Sequence, residues 1–136
     1  MDGLHLTADL YDCQCPAAWL VDAQALAALC NRAVADAGLT RMHDSWVPFP
    51  SHNGQPGGVT GVVLLAESHV AIHTWPELGH VTLDVYVCNF SGDNSAKAQQ
   101  VLDALVAALQ PARCLRQRLQ RGSLQAGQAA ADGLFS

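Results

Sequence analysis

Charge is the first thing this chain is short of. Only 14% of its 136 residues are Asp, Glu, Lys or Arg, against a usual share of about 25%. Half are apolar, which favours one well-packed domain and suits a buried interface. The net charge of −5 disfavours nucleic acid as a partner. No apolar run reaches the roughly 18 residues a membrane span needs, and no membrane association is expected. The N-terminus, MDGLHLTADLYD, is acidic and strand-like rather than a signal peptide. A CxxC pair is also missing, so Cys13, Cys15, Cys30, Cys88 and Cys114 read as free thiols. A cytoplasmic location is the expectation.

The apolar residues are patterned. His5 to Tyr11 alternates as a first strand, with Leu4, Leu6, Ala8 and Leu10 on one face. Asp22 is placed to cap a helix whose stripe is Leu26, Leu29, Cys30, Ala33, Val34 and Ala37, and Gly38 ends it. Leu39 to Phe49 reads as a strand and Pro48 to Gly58 as a loop. Val59 to Ala66, His69 to Trp75 and His80 to Cys88 read as three strands joined by short turns. The turn from Ser91 to Ser95 caps a second helix with the stripe Ala98, Val101, Leu102, Leu105, Val106 and Leu109, stopped by Pro111. Cys114 to Arg121 could be a last, polar strand. Strands outnumber helices, so the expected class is α+β, with a largely antiparallel sheet and two helices on one face. Residues 1–122 form the expected domain, and 123–136, rich in Gly, Ala and Gln, a flexible tail.

The chemistry is concentrated in the run from Glu67 to Glu77. Two apolar strands leave only Glu67-Ser68 between them, the kind of tight junction where backbone strain is stored. A serine hydroxyl there can attack the preceding carbonyl carbon and convert the peptide to an ester. Removal of the serine α-proton then expels the ester by β-elimination, and the dehydroalanine left behind hydrolyses to a pyruvoyl group. Such a ketone forms a Schiff base with an α-amine and acts as an electron sink for decarboxylation. The carbanion-like centre must then be reprotonated by a nearby acid. Ser68, His73 and Cys88 are the candidates for the bend, the base and the proton donor. Taken singly, each has a plainer explanation: a turn serine, a packed histidine, a small buried thiol. His69 and His73 do not form a metal pair, because four residues of strand separate them by about 13 Å. No metal is expected.

The contiguous signature resembles the prokaryotic S-adenosylmethionine decarboxylase proenzymes, a pyruvoyl-dependent family. It runs from Gly57-Gly58-Val59-Thr60-Gly61-Val62-Val63 through Glu67-Ser68-His69 and Ile72-His73-Thr74-Trp75-Pro76-Glu77 to Asp84 and Cys88. Weaker likeness covers Leu4-His5-Leu6, Tyr11-Asp12-Cys13, Ala37-Gly38-Leu39 and Arg121-Gly122. The resemblance implies a two-layer α/β sandwich, autocleavage between Glu67 and Ser68, and a covalent pyruvoyl cofactor made from Ser68. It implies that His73 assists processing, that Cys88 donates the proton, and that Glu77 holds the substrate ribose. Thr60 stands where the family often has a processing serine. Phe49, with Trp46 as fallback, is the implied adenine-stacking aromatic, and Trp75 joins the substrate contacts. The implied reaction converts S-adenosylmethionine to its decarboxylated aminopropyl donor for spermidine synthesis. The alternative is a relative that acts on arginine or ornithine. The two fragments are expected to stay together and pair as a homodimer, with sites at the subunit interface.

Overall fold

The computed structural model describes residues 2–90 and 92–123. The element order is β1 (Gly3–Cys13), α1 (Ala18–Val21), α2 (Ala23–Asp36), β2 (Arg41–Pro48), β3 (Val59–Leu65), β4 (His69–Trp75), β5 (His80–Cys88), α3 (Ser95–Leu109) and β6 (Pro111–Arg121). The strands form one sheet in the order β2-β3-β4-β5-β1-β6, and every adjacent pair is antiparallel. The α+β sandwich read from the sequence is what forms. A short helix, α1, joins the two expected ones; at four residues it is too brief to leave a periodic signal. The flexible tail expected over 123–136 falls almost wholly on residues 124–136, which lie outside the described residues.

Period-two alternation places Leu4, Leu6, Ala8 and Leu10 of β1 on the same face as Val81, Leu83, Val85 and Val87 of β5. That face is covered by helices: Leu26 and Val34 from α2, and Val101, Leu102, Leu105 and Leu109 from α3, are buried against it. Each large apolar side chain removed from water there stabilises the fold by roughly 1.5–3 kcal/mol. Asp22 caps α2, its Oδ1 accepting from the Gln24 and Ala25 amides at 2.9 and 3.3 Å. Gly38, at φ 79°, closes the C-terminal end in the left-handed conformation that glycine adopts without strain.

Among the described residues, no helix covers the other face of the sheet. It carries His5, Thr7 and Asp9 from β1, His69, Ala71, His73 and Trp75 from β4, and Asp84, Tyr86 and Cys88 from β5. The polar residues that the sequence singles out therefore share one open face, and their positions along the strands decide which of them meet.

Candidate active site

The junction between β3 and β4 is three residues, Ala66-Glu67-Ser68, one longer than the sequence indicates because β3 ends at Leu65. The Leu65 amide donates to the Ser68 carbonyl at 2.8 Å and closes the turn. The Ser68 hydroxyl donates to the carbonyl oxygen of Glu67. The hydroxyl thus rests against the Glu67–Ser68 peptide group, and proximity of this kind lowers the barrier to an acyl shift. Ser68, Glu67, Asn94 and Lys97 line a cavity of about 200 Å³ at this end of the sheet.

Cys88 ends β5 on the same side, pairing with Gly3 of β1. Its thiol donates to the Tyr86 hydroxyl at 3.6 Å. That bond, with burial and the neighbouring thiol adding to it, raises the Tyr86 phenol above its ordinary value, against the opposing charge of Arg121. Gly3 makes room for the ring: a Cβ there would sit 2.8 Å from the Tyr86 hydroxyl. The Arg121 guanidinium lies 4.8 Å from the ring centroid. Cys30, by contrast, is sealed in the core, where burial pushes its thiol up to about 12.

Beside Tyr86, Asp84 Oδ2 is 2.9 Å from Nε2 of both His5 and His69. Arg121 Nη1 donates to His5 Nδ1 at 3.3 Å. A guanidinium can only donate, so Nδ1 of His5 is the acceptor, and in the neutral ring Nε2 carries the proton toward Asp84. That tautomer opposes a metal ion at Nε2, although the three groups converge within 4.8 Å. Burial raises the Asp84 carboxyl, but the hydrogen bonds and charges of His69 and His5 outweigh it and hold it below its ordinary value. Sequence reasoning places His5 and Asp84 in the family signature without a role; their contact depends on β1 lying beside β5.

At the far end of β4, Thr60 Oγ1 and His73 Nδ1 are 3.2 Å apart. They line a larger cavity, about 580 Å³, with Phe49, His52, Trp75 and Glu77. A Cβ on Gly58 would collide with the Thr74 carbonyl, so glycine is what lets the 49–58 loop fold down on this cavity. Phe49 lines the cavity, whereas Trp46 faces the helices. Its ring lies against Gly61, and its indole donates to Asp44 Oδ2 at 2.7 Å.

Within a single chain the processing candidates stand apart. His73 does not meet Ser68, because five residues of extended strand separate them by about 16 Å. Ser68 and Cys88 gather at one end of the sheet. Thr60, His73, Trp75, Glu77 and Phe49 gather at the other.

The chain has relatives among known proteins. The family model for S-adenosylmethionine decarboxylase matches residues 4–122. The chain belongs to that family. The S-adenosylmethionine decarboxylase proenzyme of Aquifex aeolicus (strain VF5) is 42% identical over 123 residues, covering 90% of this chain and 83% of the relative. The proenzyme of Picrophilus torridus is 36% identical over 121 residues, covering 89% and 85%. The crystal structure of the adenosylmethionine decarboxylase from Aquifex aeolicus VF5 superimposes with a TM-score of 0.77 at 41% identity, over 90% of this chain and 92% of that one. Family membership and the sandwich fold therefore agree with the signature from Gly57 to Cys88.

Proposed function

We propose that this family member is a self-processing decarboxylase of S-adenosylmethionine. The observation that carries the reading is the Ser68 hydroxyl seated on the Glu67 carbonyl in a three-residue junction. Ser68 Oγ attacks the Glu67 carbonyl carbon, and the chain is cut between Glu67 and Ser68. The residue derived from Ser68 then carries a pyruvoyl ketone, which supplies the electron sink for loss of CO₂ from an α-amino acid.

In this reading Cys88 returns a proton to the substrate carbon after CO₂ leaves, since its thiol stands on the same end of the open face as Ser68. Thr60 holds His73 by its Nδ1, and the pair serves processing. Glu77 offers a carboxylate to the ribose hydroxyls, and Phe49 and Trp75 supply aromatic walls for the nucleoside in the larger cavity. Product would feed the aminopropyl transfer of spermidine synthesis.

Two copies complete the site. The open face exposes Val47, Leu64, Trp75, Leu115 and Leu119, each at least 39% accessible, which makes it a surface to be covered. Opposing two such faces head to tail would set the Ser68 end of one protomer over the His73 end of its partner. The cut fragments stay joined by β-sheet hydrogen bonds between β3 and β4. We place the enzyme in the cytoplasm, where its cysteines, all free among the described residues, would stay reduced. No helix among the described residues is long and apolar enough to cross a membrane.

The test is the intact mass of the denatured protein, followed by ¹⁴CO₂ release from carboxyl-labelled substrates. The reading expects two fragments divided at Glu67 and Ser68, the second lighter than encoded. It also expects release from S-adenosylmethionine and none from arginine or ornithine. A single full-length mass, or release from a basic amino acid alone, overturns it.

A further inference from the structure

Asn94 occupies the N-cap position of α3, where an asparagine side chain normally accepts from the first free amides of the helix. Here it makes no such bond. Asp93 does that work instead, its Oδ1 accepting from the Ser95 amide at 2.9 Å. The Asn94 side chain is turned away from the helix: Nδ2 donates to Glu67 Oε2 at 3.1 Å and to the Cys88 carbonyl at 3.0 Å. Its backbone amide donates to Asn89 Oδ1 at 2.8 Å, and the Asn89 amide donates to the Asp2 carbonyl at 2.8 Å. The residue is therefore fixed on both sides, and it lines the same small cavity as Ser68.

We propose that Asn94 is a positioning residue for self-cleavage, tying the residue before the cut to the strand end that carries the proton donor. The inference rests on the processing reading of Glu67-Ser68. Both partners of Nδ2 are acceptors, a carboxylate and a carbonyl, so two N–H donors on one atom are what the place requires. An aspartate there would set carboxylate against carboxylate. The amide touches neither the attacking oxygen nor the carbonyl carbon of Glu67. It acts by restricting the Glu67 side chain, and through it the orientation of the peptide that Ser68 must attack. The tie also outlasts the cut, because it holds a side chain that stays on the first fragment.

The experiment follows chain cutting in cell-free synthesis, by pulse-chase and denaturing gel, for the full-length chain and its variants. Asn94→Ser keeps a good N-cap residue for α3 but cannot reach Glu67. It is expected to fold and to cut about tenfold more slowly, the order that loss of one hydrogen bond to a charged group gives. Asn94→Asp is expected to slow cutting at neutral pH and to recover as pH falls into the carboxylate range, where one protonated carboxyl can donate to the other. Adding Glu67→Gln to Asn94→Asp reverses donor and acceptor and is expected to cut faster than Asn94→Asp alone, a rescue that a merely structural role does not give. Cutting of Asn94→Ser and Asn94→Asp at the parental rate, or no gain from the added Glu67→Gln, overturns the inference and leaves the processing reading standing. A parental chain that never cuts overturns both.

Discussion

Thr60 Oγ1 and His73 Nδ1 lie 3.2 Å apart, on residues directly opposite each other in the β3–β4 register. The imidazole is thereby held by one nitrogen, which leaves the other directed elsewhere. Thr60→Val keeps the branched shape and removes the hydroxyl. We expect its cutting to slow by about tenfold or more, measured as full-length chain remaining with time. Thr60→Ser should cut at least as fast as the parent, because an unbranched hydroxyl reaches His73 with less restriction at χ1. Parental cutting by Thr60→Val would remove the hydroxyl from processing.

Ser68 and Cys88 should separate the two halves of the chemistry. Ser68→Ala should remain full length and inactive, since no hydroxyl faces the Glu67 carbonyl. Cys88→Ala should still divide into two fragments yet turn over slowly, by the 10²–10⁴-fold that a positioned acid typically contributes. Gel and CO₂ release on the same preparations distinguish them, and full turnover by Cys88→Ala would assign the proton elsewhere.

Glu77 stands in the larger cavity, away from the cut. Glu77→Gln should be processed normally and bind substrate about tenfold more weakly, the usual scale for a hydrogen bond to a charged group. The change should appear in KM more than in kcat, because the ribose is remote from the reacting carbon.

Asp84 gives a pH signature. His69 and His5 together hold its carboxyl below the ordinary value despite burial, so the folded state favours the ionised form. Its stabilising contribution is complete above the ordinary carboxylate range and is lost as pH falls through the lowered folded value. Asp84→Asn should therefore lower Tm most near neutrality, and the gap to the parent should narrow in acid. Thermal melts between pH 3 and 7 would show it; a gap that widens in acid would contradict the assignment.

The sequence makes faces legible more readily than neighbours. Strict alternation in β4 and β5 predicts which side chains share the open face, and the structure agrees. The junction at Glu67-Ser68 and the caps at Asp22 and Gly38 are likewise readable, because each depends on residues close in the chain. The His5–Asp84–His69 contact depends on β1 inserting between β5 and β6, a choice no local pattern encodes. Asn94 reads only as part of a helix-capping turn, because the bonds of its side chain span 27 residues to Glu67. The separation of Ser68 and His73 within one chain follows from the rise of the strand that joins them, which alone carries them apart.

That separation along β4 has a genetic consequence. If each working centre draws Ser68 from one polypeptide and His73 from another, two defective alleles can repair each other. Cells carrying only the Ser68→Ala allele, or only a His73→Ala allele, would require spermidine. Co-expression would form mixed pairs in which one centre contains an intact serine and an intact histidine, while its twin contains neither. Growth of the doubly transformed strain, with cut chain recovered only from the His73→Ala polypeptide, would be the mark of a centre shared between molecules.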